Sequence, residues 1–284
     1  MCRLFGFRSV IPSQVHRSLT AADNALGRQS EAHPDGWGVA FYVDGAPHLT
    51  RMPSTALEDA LFRRISGVVS SETVLAHIRK ATQGVNNVLN CHPFQHGRWV
   101  FAHNGDIPDF DAKRAALMAE VAPRLRRFIL GDTDSEVIFY VFLSRLAAYG
   151  PLAQRHGAED VSRAIDETIS AVRSACEGPN DDKPCLLTFI VTDGTTLAAT
   201  QGGKELFVST YKTRCADRDA CPHLAEECEA PTKTGFINHL LFSSEIIDGD
   251  NVWDEMSQGD IVAVDWRMRI HRARIGKRPL PIAG

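Results

Sequence analysis

Met1-Cys2-Arg3-Leu4-Phe5-Gly6-Phe7-Arg8-Ser9 opens the chain, and the reading of the whole starts from these nine residues. A cysteine directly follows the initiator methionine, and a short apolar, aromatic run follows the cysteine. With Met1 removed, Cys2 would carry a thiol and a free α-amine on one residue. The amine has an unperturbed pKa of about 7.7–8.0 and the thiol about 8.5. A nucleophile and a base then sit together at the terminus, as in the threonine-plus-terminal-amine arrangement. A cysteine at position two is also simply a small residue at a frayed end, so the rest of the chain has to decide.

Leu4 to Val10 reads as a short buried strand with Pro12 ending it. Val15 to Leu26 has helical spacing, with Gly27 as a stop. His33-Pro34-Asp35-Gly36-Trp37-Gly38 is a glycine-punctuated turn into a strand over Val39 to Val43, and Asp44-Gly45 makes a hairpin turn into His48 to Met52. Ser54 is read as the cap of a helix through Ile65. Thr73 to Ile78 is a strand ending at Arg79, and Trp99 to His103 one ending at Asn104-Gly105. Asp111 to Leu130 is helical with a break at Pro123. An apolar helix covers Val137 to Ala148, and an amphipathic one Asp160 to Ala175 with Val161, Ile165, Ile169 and Val172 on one face. From Cys185 onward strands return. Strands, then helices, then strands suit sheets layered with helices, and no linker or repeat divides residues 1–284, which are read as one domain.

Composition narrows the class. The 284 residues are 44% hydrophobic and 23% charged, with a net charge of −4; this is ordinary for a globular protein and offers no argument for nucleic acid or an anionic membrane. No apolar run approaches the ~20 residues that span a bilayer, and no secretory signal is read at the start. Seven scattered cysteines do not make a small disulfide framework. A reducing, cytoplasmic setting is expected.

Three clusters could carry chemistry, each where an element meets a loop. His77-Ile78-Arg79-Lys80-Ala81-Thr82 places His77 and Arg79 on one strand face, and Arg79 offers a rigid fork for a carboxylate; a lone strand-end Arg is more commonly just solvated. Phe101-Ala102-His103-Asn104-Gly105 sets an amide side chain beside an unhindered N–H, a pair suited to an oxyanion; an isolated Asn-Gly is otherwise a turn. Gly131-Asp132-Thr133-Asp134-Ser135-Glu136 is first of all a helix cap, but it has more acids than capping needs, and Asp134 could hold an ammonium group. A thiol with an amine, a carboxylate binder, an ammonium binder and an oxyanion site together point to glutamine or a γ-glutamyl amide.

With Met1-Cys2, Asp35-Gly36-Trp37-Gly38, His77-Ile78-Arg79, His103-Asn104-Gly105 and Thr133-Asp134-Ser135-Glu136 in order, the chain resembles the class II glutamine amidotransferases, which are N-terminal nucleophile (Ntn) hydrolases. Cys2-Arg3-Leu4-Phe5-Gly6 with Asn90-Cys91-His92-Pro93-Phe94 resembles the stand-alone subgroup, one member type of which cleaves a γ-glutamyl bond in ergothioneine biosynthesis. The resemblance implies an α+β, four-layer αββα fold of two mainly antiparallel sheets covered by helices. It implies Cys2 as nucleophile, Asn104 and Gly105 as oxyanion hole, Arg79 and Asp134 on the substrate α-carboxylate and α-ammonium, and His77, Thr82 and Trp37 lining or bracing the pocket. The expected reaction passes through a Cys2 γ-glutamyl thioester. The alternatives are a silent amino-acid-binding module of the same fold, or the glutaminase subunit of a separate synthase. Neither nucleic acid, membrane nor cofactor is expected.

Cys215, Cys221, His223 and Cys228 form a legitimate zinc ligand set, but their spacing is looser than a paired-cysteine knuckle and no metal is expected. Ser243-Ser244-Glu245 reads as a polar turn that could reach the pocket from the second sheet. The basic, alternating stretch from Arg267 to Lys277 reads as a charge-protected edge strand.

Overall fold

Strand β1 (Arg3–Gln14) lies at the centre of a seven-stranded sheet. In the computed structural model, which describes residues 2–14, 17–21, 26–29, 34–179 and 183–276, its side chains alternate between two cores. Leu4 enters a core between two sheets, whereas Phe5 and Phe7 enter one on the outer face. Both faces are covered, so the strand reads as a run of apolar residues and not as an apolar–polar alternation. Two flanking strands hold β1 antiparallel.

The order across this sheet is β11 (Asp254–Glu255), β9 (Phe207–Ser209), β10 (His239–Ser243), β1, β4 (Ser70–Arg79), β2 (Gly36–Val43) and β3 (Ala46–Met52). The second sheet runs β13 (Ile270–Arg274), β12 (Asp260–Val264), β8 (Leu197–Thr200), β7 (Leu186–Thr192), β6 (Trp99–Asp106) and β5 (Phe94–His96). Its pairings are antiparallel too. Leu4, Ala40, Leu75, Val100, Ala102 and Ile190 meet between the sheets, as in face-to-face sheet packing.

Helices cover both outer faces. On the first sheet lie the short α1 (Leu26–Gln29) and α2 (Ala60–Val68), whose Phe62 packs edge-on against Trp37 with ring centroids 5.1 Å apart. The second sheet carries α3 (Phe110–Ala119), α4 (Pro123–Arg126), α5 (Asp134–Leu146) and α6 (Ala158–Cys176). Val161, Ile165, Ile169 and Val172 of α6 are fully buried, as their spacing predicts; each contributes about 1.5–3 kcal/mol relative to exposure. The result is the four-layer αββα architecture expected from the sequence.

Several local expectations shift. The α2 helix starts at Ala60, not at Ser54: Asp59 is its cap, accepting the Leu61 N–H, while the Ser54 hydroxyl donates to Asp59. A carboxylate nearer the apolar face outcompetes the more distant hydroxyl. Half of the helix read over 15–26 and His33 lie outside the described residues; the rest is a π-helical turn at Arg17–Ala21 and the start of α1, which continues through Gly27. Pro123 does restart a helix, as the first residue of α4, a position where its missing N–H costs nothing. Asp44 and Gly45 both have positive φ, the geometry of the expected tight hairpin between β2 and β3. Within the basic C-terminal stretch, Ile270–Arg274 form the edge strand β13.

Candidate active site

Alternation along the strands decides which side chains meet. In β4, Leu75 faces the space between the sheets and Ala76 and Ile78 face outward, so His77 and Arg79 share the inner face with Leu75. In β6, Val100 and Ala102 are on the inner face, so Asn104 is as well. Cys2 precedes β1 in the same phase as Leu4. Arg3 stands opposite Ile78 in the register, which brings Cys2 beside the end of β4. There the Cys2 thiol donates to the Lys80 carbonyl at 3.2 Å and receives the Lys80 N–H at 3.2 Å.

Asn104-Gly105 is not a turn. Strand β6 continues to Asp106, with Asn104 opposite Thr188 and Gly105 opposite Leu187. The pairing partner lies more than eighty residues away, so the local Asn-Gly signal is overruled by a non-local ladder. Strand β5 covers β6 only as far as Phe101, which leaves the other edge of Ala102 to Asp106 without a strand partner among the described residues. The Asn104 amide is 5% exposed and makes no side-chain hydrogen bond among the described residues. A Cβ on Gly105 would stand 1.8 Å from the Leu186 carbonyl oxygen and 2.2 Å from His103 Nε2. Gly105→Ala is therefore expected to destabilise the fold by at least about 3 kcal/mol, at the upper end of overpacking costs, visible as a lowered melting temperature.

His103 ties β6 to α5. Its Nε2 lies 2.9 Å from the Leu186 carbonyl and its Nδ1 2.9 Å from Ser135 Oγ. A carbonyl only accepts, so Nε2 carries the hydrogen. Burial holds the ring below the usual histidine range, although Asp134 pulls the other way, so Nδ1 of the neutral ring is an acceptor that shares the one Ser135 hydroxyl hydrogen with Asp134 Oδ1, 3.1 Å from Ser135 Oγ. Thr133 caps α5 by accepting the Glu136 N–H, and Glu136 accepts the N–H groups of Leu130 and Gly131. Asp134 is thereby fixed in the first turn, where its carboxylate receives the N–H groups of Ile107 at 2.9 Å and Ser135 at 2.7 Å.

Two buried charges of opposite sign remain. Arg79 is 3% exposed, and among the described residues its guanidinium donates only to neutral acceptors: Gln83 carbonyl at 2.9 Å, Asn86 Oδ1 at 3.3 Å and Gly84 carbonyl at 3.5 Å. Asp134 is 2% exposed and pairs with no Arg or Lys among the described residues. Burial raises its pKa above the ordinary carboxylate range, with His103 partly offsetting it. Both charges act on the Cys2 thiol: burial raises its pKa, the Lys80 amide and Arg79 pull it down, and Asp134 pushes it further up. Unpaired buried charges are costly, so this end of the inter-sheet space suits a ligand carrying both signs.

His77 packs against His92 with ring centroids 4.2 Å apart and the ring planes tilted by 35°. Neither ring nitrogen of His92 has a hydrogen-bond partner among the described residues, and burial, followed by the neighbouring His77, holds that ring well below the usual range. Gly38 makes room for the turn that carries it, since a Cβ there would lie 2.1 Å from the His92 carbonyl oxygen. His92, Gln83 and Asn86 were not among the expected site residues. For His92 a signal existed in the Asn90-to-Phe94 motif; Gln83 and Asn86 reach Arg79 only through the path of their loop.

Two expected residues stand apart. Trp37 is fully buried in the outer core, donating from Nε1 to Asp59 at 2.9 Å; it lies on the face of the sheet opposite His77 and Arg79. Thr82 is exposed on the loop after β4. At the other end of β1, roughly 20 Å from Cys2 at about 3.3 Å per residue, a cavity of about 580 Å³ is bordered by Ser9, Cys215, Cys221 and His239. It contains none of the residues above, and the charges, not that cavity, define the site. All seven cysteines are free, and no set of three or more His, Cys, Asp or Glu among the described residues is arranged to hold a metal.

Residues 1–267 match the family model of class-II glutamine amidotransferases. The chain belongs to this family. It is 30% identical over 250 residues to the probable glutamine amidotransferase DUG3 of Saccharomyces cerevisiae, covering 79% of this chain and 68% of that protein. It is 38% identical over 179 residues to the gamma-glutamyl-hercynylcysteine sulfoxide hydrolase of Mycobacterium tuberculosis, covering 58% and 71%. The class-II glutamine amidotransferase chain spans between 39% and 57% of the length of three further relatives. A solved class-II domain protein from Silicibacter pomeroyi superposes with a TM-score of 0.62 at 21% identity, covering 97% of this chain and 100% of that one. With further neighbours of the same architecture, this shows the Ntn hydrolase fold. No described helix is long and apolar enough to cross a membrane.

Proposed function

We propose that this amidotransferase-family chain is a cytoplasmic amidohydrolase that cleaves a γ-glutamyl amide through a thioester on Cys2. The carrying observation is the unpaired Arg79–Asp134 couple beside the Cys2 thiol. The α-carboxylate of a γ-glutamyl group would complete Arg79 and its α-ammonium Asp134, setting the δ-carbonyl against the sulfur. The relatives named as an amidotransferase and as a γ-glutamyl hydrolase support the same substrate class. Elements from residue 2 to the strands after Cys185 contribute to one site, in keeping with a single domain over 1–284.

In this mechanism Met1 is removed and the Cys2 α-amine takes the thiol proton as sulfur bonds to the δ-carbon. Asn104 and the Gly105 N–H hold the resulting oxyanion. The C–N bond then breaks, the leaving amine takes the proton from the α-ammonium, and a γ-glutamyl thioester remains. Water adds to the thioester with the amine again as base, releasing glutamate and restoring the thiol. Thr82 stands at the rim, His77 at the floor, and Trp37 braces the sheet from its far face.

Three results are expected here. Arg79→Leu should raise KM for γ-glutamyl substrates about 10–100-fold, the value of about 1.5–3 kcal/mol for hydrogen bonds to charged groups. Asp134 must be ionised to hold the ammonium, and its pKa lies above the ordinary value. KM should therefore begin to rise on acidification at a higher pH than an unperturbed carboxylate, near 3.9, would give. The sign for stability is opposite: a raised native pKa means this group destabilises the ligand-free fold as pH rises through it. Glutamate should accordingly raise the melting temperature more at pH 7 than below the Asp134 pKa.

The test is glutamate release from glutamine and a panel of γ-glutamyl amides, with Cys2→Ala as control. Release from γ-glutamyl amides in excess of glutamine supports the proposal. Turnover of glutamine alone would favour a glutaminase subunit, and binding without turnover a silent module.

A further inference from the structure

The register between β1 and β10 ends at Phe5 opposite Ser243, yet the contact continues by one residue in an unusual form. The Ser244 N–H donates to the Leu4 carbonyl at 3.1 Å, as a ladder would require. The reciprocal bond is made by the side chain: the Leu4 N–H donates to Ser244 Oγ at 3.0 Å. The chain leaves the sheet at Ser244, and its hydroxyl replaces the carbonyl that would have accepted Leu4. Ser244 is buried, so water is a poor substitute. Ser243-Ser244-Glu245 is the polar turn expected, and it borders β1 of the first sheet.

We propose that Ser244 is a positioning residue for Cys2, an inference that rests on Cys2 being the nucleophile. Between Cys2 and the hydrogen-bonded Leu4 there is only Arg3, which forms an ion pair with Glu245 of the same turn. That pair is partly exposed and of small worth. The turn therefore grips residues 3 and 4 from the β10 side, while the end of β4 holds the sulfur through Lys80. Removing the hydroxyl orphans a buried N–H and loosens one side of the strand two residues from the reacting atom. Misplacement by about 1 Å can cost about 100-fold in rate. Ser244 is remote from Arg79 and Asp134 in the hydrogen-bond network, so substrate affinity is unaffected.

The experiment compares wild type, Ser244→Ala and Ser244→Thr, with γ-glutamyl-p-nitroanilide as probe, and follows amide exchange of the 2–9 segment by mass spectrometry. Ser244→Ala is expected to lower kcat about 10–100-fold with KM within about twofold of wild type, and to speed exchange at Leu4 at least tenfold. Ser244→Thr, which keeps the hydroxyl, should restore both. Unchanged exchange at Leu4, an unchanged kcat, a rise confined to KM, or a threonine variant as impaired as alanine would each overturn the proposal. If Ser244→Ala does not fold, Ser244→Cys, of similar size but a weak acceptor, takes its place under the same criteria. A wild type without turnover would defeat the functional reading alone, and the exchange comparison would still judge the clamp.

Discussion

Cys2→Ala is expected to abolish glutamate release from γ-glutamyl amides, with a loss of at least about 10⁴-fold, the scale seen when a covalent catalyst loses its nucleophile. The substitution removes the atom that bonds to the δ-carbon and leaves Arg79, Asp134 and Asn104 in place. Binding should survive: the variant should still take up glutamate or glutamine, and the melting temperature should rise with either. Cys2→Ser is the sharper variant. It preserves shape and the hydrogen bond to Lys80, but its alkoxide is much harder to form than a thiolate. The wild-type thiol is itself held above its ordinary range by burial, so little thiolate exists at neutral pH without a base. Activity should therefore depend on the neutral α-amine and rise with pH through that group's titration. Residual activity in Cys2→Ala within tenfold of wild type would remove Cys2 from the chemistry.

Asn104→Ala should lower kcat about 10²–10³-fold, corresponding to about 2.7–4 kcal/mol for one oxyanion donor, with a much smaller change in KM. The reasoning is specific to where this amide lies. It is nearly buried on the inner face of β6, and it has no hydrogen-bond partner among the described residues. With no side-chain hydrogen bond to give up, the amide would donate to the charge that forms on the substrate oxygen. The donor therefore interacts more strongly with the transition state than with the ground state, which is what raises kcat. Asn104→Asp should be at least as damaging, because it places an acceptor and a negative charge where charge develops. A KM effect without a kcat effect in Asn104→Ala would assign this residue to binding only.

The outline of the site was legible in the sequence because its residues are unusual for their local setting. Arg79 closes an apolar strand, Asn104 sits in another, and Asp134 exceeds the needs of a cap that Thr133 already supplies. Of lining and bracing, strand geometry leaves Trp37 only the second: Gly38 stands opposite His77, so the inner-face positions at this end of β2 are Gly36 and Gly38 and the indole must point outward. The strand through Asn104-Gly105 could not be seen locally, since Thr188 and Leu187 that pair with it come from the far half of the chain. The loop carbonyls that hold Arg79 likewise depend on how residues 83–86 turn back. Ser244 looked like an ordinary polar turn because its partner, Leu4, is 240 residues distant in sequence.

The architecture was easier to read than these contacts. Buried aromatic and aliphatic runs marked the inner strands, and the four-residue apolar stripe of α6 marked the helical layer. Both are properties of period, which sequence carries directly. Caps were less secure, as the shift from Ser54 to Asp59 illustrates: several residues near a helix start can serve, and the winner depends on packing of the following turn.

A thioester on Cys2 would be visible directly at the start of the chain during turnover. Active enzyme should be mixed with a γ-glutamyl amide, quenched in acid within a single turnover, and its intact mass and N-terminal peptide measured. The expected result is a chain lacking Met1 that carries one γ-glutamyl group on Cys2, absent in Cys2→Ala. Full activity in a chain that retains Met1, or a γ-glutamyl group on any other residue, would contradict it.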